Sequence, residues 1–380
     1  MSNLTSYVQT YQGSAPIGGI VNAYVSTTTG PTTTNSGTWV KSNAVYLQAD
    51  YPELYSVIGL MGVAYFNKSP GARPSNSPVT LMYGNGLYIL FGLAANLYTS
   101  TDGITWTART NAINSTTTCI YANGQYVAGA PGTTNMATST NAITWTVRTP
   151  TTTSQITALA YGNSLYIYGG VSGVLGTSTD AITWTARTSG TSSQIASLIY
   201  ANGLYVYGTV GGGLATSTDA ITWTARTSGT SSNITNLAYG AGVYVYGGTN
   251  SALATSTDAI TWTGRSLGLT TTIYSMLYDG SNFVCGLTSN SAFATSTNAI
   301  TWQIKPANPS QGATSAPWIV YDGVGRYVMI DGFGYPNYST NVVTPTTSLY
   351  NTATEFLVPQ LSYFTSVSDS AIQNVYIRAK

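Results

Sequence analysis

One phrase returns along this chain at nearly constant spacing. It reads ATSTDAITWTART at Ala215–Thr227, with close copies at Gly176–Thr188 and Ala254–Arg265. Its serine recurs at Ser100, Ser139, Ser178, Ser217, Ser256, Ser296 and Ser339. Its tryptophan recurs at Trp106, Trp145, Trp184, Trp223, Trp262 and Trp302, so the step is 39 residues four times and then 40. The seventh copy, YSTNVVTPTT, keeps Ser-Thr-Asn and loses the tryptophan. A period of this size signals a solenoid or a propeller, in which each unit buries its apolar surface against the next.

The fourth copy reads as four short strands. IASLIYA is apolar, and Asn202-Gly203 is a hairpin signal. LYVYG alternates, with Leu204 and Val206 on one face and Tyr205 and Tyr207 on the other. After the loop VGGG, LATST is a third strand and ITWTART a fourth, with Ile221 and Trp223 expected on one face. Four strands in about forty residues make one propeller blade. No segment sustains a helical period, and β-solenoid coils are shorter with fewer tight hairpins. The copies run from near Val79 to near Tyr350, so the chain is expected to be mainly β, with a seven-bladed β-propeller over residues 77–350.

The repeated phrase resembles the Asp-box of sialidase-like (BNR-type) propellers, Ser-x-Asp-x-Gly-x-x-Trp, with one residue fewer between Asp and Trp. The resemblance implies a structural turn between the third and fourth strands. The residues agree independently. The acidic place holds Asp102, Asp180, Asp219 and Asp258 in four copies, but Asn141, Asn298 and Asn341 in three. An amide oxygen accepts the same turn hydrogen bonds, yet an amide cannot act as a general base. All seven are therefore expected to be turn clips, with the tryptophan filling the space between blades.

Composition narrows the chemistry. The sequence has 380 residues, no histidine, 11 acids and 12 cations. Without histidine, the usual general base, metal ligand and Ser-His or Cys-His nucleophile are missing. Cys119 and Cys285 cannot build a zinc site alone and read as small buried thiols. Neither metal nor cofactor is expected. Paired-carboxylate glycoside hydrolysis needs two facing acids, and within the repeats only Asp331 lacks a repeating role. Arg109, Arg148, Arg187, Arg226 and Arg265 stand three residues after their tryptophans, with Lys305 in the sixth copy, so these cations ring the disc rather than converge. On these grounds the chain is expected not to be an enzyme, a sialidase-like glycan hydrolase being the alternative. A net charge of +1 argues against a nucleic-acid partner. No apolar run approaches the ~20 residues that cross a bilayer, and MSNLTSYVQTYQ is not expected to be a signal peptide. Charged residues are only 6%, leaving a surface of Ser, Thr, Asn, Gly and Tyr suited to recognition or to a durable assembly.

The flanks, 1–76 and 351–380, do not repeat. They contain Pro16-Ile17-Gly18-Gly19-Ile20, Trp39 to Ala44, Tyr51-Pro52-Glu53-Leu54 to Ile58-Gly59, Phe356 to Leu361, and Asn374 to Lys380. Pro52 after Asp50 suits a helix start over Tyr51–Leu60. These motifs resemble the phage tail-collar domain of tail fibres, with Ser42 and Ala44 departing from its pattern. The resemblance implies a small collar-like domain split around the propeller, a virion (tail) location after assembly in the host cytoplasm, other tail proteins as partners, and a homo-oligomer, commonly a trimer. The expected function is a structural tail fibre, tip or collar subunit whose propeller contacts a host-surface glycan or protein. The alternative within that class is an architectural spacer. The loops between second and third strands vary most, and the seventh copy breaks pattern with Asp331, Tyr335, Asn337 and Tyr338, a candidate sugar-binding set.

Overall fold

In a computed structural model of the chain, the described residues are 78–93, 96–110, 113–132, 136–288, 292–306, 318–330 and 336–340, together with short strands at 20–23, 39–41, 45–47, 67–68, 355–357 and 374–378. The expected helix at 51–60 lies outside them. The chain divides into two compact units, residues 65–346 and residues 1–64 with 347–380.

The larger unit is a seven-bladed β-propeller of four-stranded antiparallel sheets. Its only helical turns among the described residues are Val171–Gly173 and Thr249–Ser251. In the fourth blade the strands Ile195–Ala201, Leu204–Thr209, Leu214–Ser217 and Thr224–Arg226 lie side by side in chain order. Tight turns enforce that order. Asn202 and Gly203 have φ of 45° and 80°, the paired left-handed conformation that a two-residue hairpin needs.

The second strand of each blade is buried on both faces, and its alternation serves two cores rather than one. In the fourth blade, Tyr205 and Tyr207 pack with Ile167 and Leu175 of the third blade. Val206 packs with Leu237, Tyr244 and Tyr246 of the fifth. Comparable shared clusters join the first and second blades, the second and third, and the fifth and sixth. The core is thus a chain of seams, each made by two neighbours.

Hydroxyl groups stitch the same seams. Tyr126, Tyr166, Tyr205 and Tyr244 each donate to a carbonyl at the first hairpin of the preceding blade, namely Gly84, Ala122, Gly162 and Ala201, at 2.6–2.8 Å. Tyr88 and Tyr327 instead donate to Asp322 and Asp279, and Phe283 takes this place in the sixth blade. Nearer the axis, Thr117, Thr157, Ser197 and Thr235 donate to the carbonyls of Ile156, Ile195, Ile234 and Ile273 in the next blade. Bulges after Ile156, Ile195, Ile234 and Ile273 interrupt the ladder where these bonds are made.

The ring closes with a strand from ahead of the first blade. The seventh blade has Trp318–Tyr321, Tyr327–Ile330 and Pro336–Ser339, and its outer strand is Asn67–Lys68, with Lys68 opposite Asn337 and Asn67 opposite Tyr338. At the seam with the first blade, Leu81, Tyr88, Leu90, Val328 and Ile330 share one cluster. Arg326 also donates to the Asp102 carbonyl there.

One expectation about the fourth strand is corrected. It spans only Thr224–Arg226, and Ile221 is 49% exposed while Trp223 is half-buried. The cause is the preceding turn. Asp219 Oδ1 accepts the N–H groups of Ile221 and Thr222 at 2.8 Å, so those amides cannot enter the ladder. Ile143, Ile182, Ile260 and Ile300 are likewise 45–49% exposed.

In the smaller unit, Asn374–Arg378 lies between Ile20–Ala23 and Trp39–Lys41 in a three-stranded sheet, and Val45–Leu47 pairs with Glu355–Leu357. The segments before and after the propeller are therefore paired with each other.

Two substitutions test the seams. Tyr205→Phe leaves the Gly162 carbonyl without its donor and should lower unfolding free energy by about 1 kcal/mol in denaturant titration. Ile221→Thr should stay within about 0.5 kcal/mol of the parent, because this residue is largely solvated.

Candidate functional site

The repeated acidic positions are absorbed by turns. Asp102 Oδ1 accepts Ile104 N–H and Thr105 N–H at 2.8 and 2.7 Å, and Ser100 donates to it at 2.9 Å. Asn141 and Asn298 accept the equivalent N–H pairs through their amide oxygens at 2.9–3.0 Å. Asp180 and Asp258 repeat the arrangement, and Asn341 lies outside the described residues. Hydrogen bonds from Thr183, Ile182 and Ser178 hold the Asp180 carboxyl down to about 2, and those from Thr222, Ile221 and Ser217 do the same for Asp219. The residue after each clip is left-handed, with φ of 57–59° at Ala142, Ala181, Ala220, Ala259 and Ala299. The indoles of Trp145, Trp184, Trp262 and Trp302 donate back to the carbonyls of Ala142, Ala181, Ala259 and Ala299 at 3.1–3.2 Å. The remaining described acids of the propeller, Asp279 and Asp322, accept N–H groups in the first hairpins of the sixth and seventh blades.

The cations are also built in. Arg109, Arg148, Arg187, Arg226 and Arg265 each donate through Nε to a threonine hydroxyl on the adjacent third strand, at 2.8–3.0 Å. Lys305 is buried, and desolvation pulls its ammonium down to about 8. Burial raises both thiols, that of Cys285 to about 12, so neither cysteine is poised as a thiolate.

Of the candidate set in the seventh blade, Asp331 and Tyr335 lie outside the described residues. Asn337 is buried in the third strand, opposite Met329 on one side and Lys68 on the other. Tyr338 is half-buried beside it and packs on the seam with the first blade. Both therefore sit within the sheet rather than on a loop.

One concavity lies along the axis of the ring. A cavity of about 940 Å³ is lined mostly by the first strands of the blades or residues just ahead of them, with Thr249 and Gly323 from adjoining turns. Among the described residues, no Asp, Glu, Lys or Arg lines it. Its wall combines hydroxyls, amides and aromatic rings with aliphatic side chains such as Val79 and Ile319. Gln155 and Gln194 stand at the start of the third and fourth blades, and no hydrogen bond of their carboxamides is among those of the described residues. In a ring of seven, these blades face the sixth and seventh across the axis. There the wall is aromatic. Tyr274 is 45% exposed and meets the half-buried Trp318 edge-to-face, with ring centroids 5.1 Å apart. Tyr274 is the extra residue of the bulge between Ile273 and Ser275, and a bulge re-aims its side chain out of the ladder. The same bulge position holds Thr157, Ala196 and Thr235 in the third, fourth and fifth blades. The signal was present in the sequence as an aromatic residue where other copies carry Thr, Ala or Val. It was hidden because the bulge shifts the register in which the copies must be compared.

Comparison of the sequence with protein-family models and with curated proteins finds no match. Solved structures match the propeller. Streptogramin B lyase superposes with a TM-score of 0.65 at 10% identity, over 73% of this chain and 98% of that one. Virginiamycin B lyase from Staphylococcus aureus with quinupristin, a catalytically inactive form, gives 0.64 at 11% identity, over 72% and 98%. YCF48 bound to D1 peptide gives 0.60 at 15% identity, over 74% and 97%. At these identities the likeness is one of fold.

The expectation that the chain is not an enzyme is corrected by these neighbours. Streptogramin B lyase is an enzyme on the same kind of ring. The acid count argued against one reaction, paired-carboxylate glycoside hydrolysis. It carried no weight against catalysis on a propeller in general, because fold and function separate in both directions.

The electrostatics predict two pH responses. Lys305 falls from its ordinary 10.5 to about 8, so between these values the unfolded chain holds more protons and stability rises with pH. Lys305→Met should remove that rise in thermal unfolding measured from pH 7.5 to 9.5. Asp180 and Asp219 fall from 3.8 to about 2, so their stabilisation is present above pH 4 and lost as pH drops toward 2. Replacing both with Asn, the residue that Asn141 already supplies, should flatten that acid limb while leaving the neutral Tm nearly unchanged.

Proposed function

We propose that this chain is a structural subunit of a bacteriophage tail, a fibre, tip or collar component, whose propeller contacts the host surface. The observation that carries this reading is the pairing of the flanks. Ile20 ends the Pro-Ile-Gly-Gly-Ile motif and Trp39 begins the second collar-like motif, and both belong to strands that pair with Asn374–Arg378. Phe356 lies in the strand that pairs with Val45–Leu47. The collar-like motifs at opposite ends of the sequence thus meet in one unit, as a domain split by an inserted ring requires. A closed ring can be inserted in this way because its own ends lie near each other.

The composition supports the same reading. With charges at 6% and hydrogen bonds between blades made by tyrosine and threonine, the propeller relies little on ion pairs that salt would screen. The ring is also a fold that holds ligands, a D1 peptide on YCF48 and quinupristin on virginiamycin B lyase. On this reading the partners are other tail proteins and a host-surface glycan or protein, and the subunit assembles as a homo-oligomer, a trimer by the collar resemblance.

The test is direct. Gradient-purified phage particles should contain this chain by mass spectrometry, and antibodies raised against the propeller should slow adsorption to host cells. Absence of the chain from intact particles would overturn the reading. Presence with unimpaired adsorption would leave a spacer in place of a receptor-binding subunit.

A further inference from the structure

We propose that the axial cavity of the propeller is a binding site for a neutral saccharide, held between Tyr274 and Trp318 on one side and Gln155 and Gln194 on the other. This deepens the reading above, since it gives a host-facing ring a ligand class, but it rests on the cavity alone.

Three observations carry it. The first is charge. Among the described residues the wall carries no acidic or basic side chain to neutralise a phosphate, sulfate or carboxylate, and burying an unpaired charge there would be costly. Acidic glycans, nucleotides and charged peptides are disfavoured for one shared reason. The second is the aromatic pair. Most large side chains of the ring are consumed in seams, as with Tyr205 and Tyr244 at 0–1% exposure, whereas Tyr274 is 45% exposed and faces the cavity. Its edge-to-face contact with Trp318 holds the two rings together and leaves Tyr274 45% exposed. A pyranose has an apolar face of C–H groups that lies flat on such a ring, and equatorial hydroxyls that project sideways. The third is the amide pair. Neighbouring hydroxyls are spent between blades, with Thr157 donating to Ile195 and Thr235 to Ile273. Gln155 and Gln194 have no such bond among the described residues, and each carboxamide offers two donors and an acceptor to a ligand hydroxyl. A cavity of about 940 Å³ is large enough for several sugar units rather than one.

The site arises from broken symmetry. The bulge position that carries Tyr274 is filled by Val79, Thr157, Ala196 and Thr235 in other blades, so the fold itself does not need an aromatic residue there. That makes Tyr274→Thr a substitution the blade already tolerates.

The full 380-residue chain should be titrated with unsubstituted gluco-, galacto- and manno-hexaoses, followed by tryptophan fluorescence and calorimetry, with sialyllactose as the charged comparator. At least one neutral hexaose is expected to bind. Tyr274→Thr should weaken that binding tenfold or more, about 1.4 kcal/mol, with an unchanged Tm, and Gln155→Leu should weaken it independently. The inference is overturned if no neutral hexaose binds, if Tyr274→Thr binds as the parent does, or if sialyllactose binds as tightly. A chain found in phage particles that binds no hexaose would sink this inference and leave the tail reading standing. A chain that binds hexaose and is absent from particles would do the reverse.

Discussion

The structure depends on burial at the seam between blades. A single four-stranded blade exposes two apolar faces, and its second strand, such as Leu204–Thr209, has no polar face to turn toward water. Only neighbours on both sides bury it. Closure of the ring is therefore a requirement of the sequence pattern rather than an accessory, and the two-residue strand Asn67–Lys68 completes the last blade beside the first. The tyrosine hydroxyls follow from the same constraint. A buried ring that reaches the far side of a seam needs a partner for its hydroxyl, and the hairpin carbonyl of the preceding blade supplies one in four seams.

The turn between third and fourth strands shows how the seam is tuned. The clip at Asp219 or Asn141 consumes two amides and throws an isoleucine outward. In exchange it presses a buried left-handed Ala, or Gly103 in the first blade, against the previous blade. Gly103 is needed at the closing seam because a Cβ there would lie 2.3 Å from Val328 Cγ2. Seam and clip together use up nearly every regular feature of the repeat. What is left for recognition is whatever departs from the repeat, and the aromatic pair at Tyr274 and Trp318 is such a departure.

The blade count, the hairpin at Asn202-Gly203 and the alternation of Tyr205 with Val206 were legible in the sequence because each is local. A two-residue turn demands left-handed residues, and a strand alternates with period two. The outer strand of the seventh blade was not legible. Asn67 and Lys68 carry no repeat signature, and their partner lies some 270 residues away. That Ile221 falls outside the fourth strand was not legible for a related reason. Apolar character predicts burial on average, but the Asp219 clip spends the amides that would have kept Ile221 in the strand.

The candidate site divides along the same line. From the sequence alone came the conclusion that the repeated acids are turn elements, since Asn replaces Asp without loss of the phrase, and that identity by identity the loops and seventh copy are where the chain varies. Only the tertiary structure decided that Asn337 is sealed inside a sheet, while Tyr274, Trp318, Gln155 and Gln194, from four different blades, share one cavity with no charged side chain among its described lining residues. The physical reason is that a local pattern fixes which side of a strand a residue takes. The axis that several strands share exists only once the ring has closed.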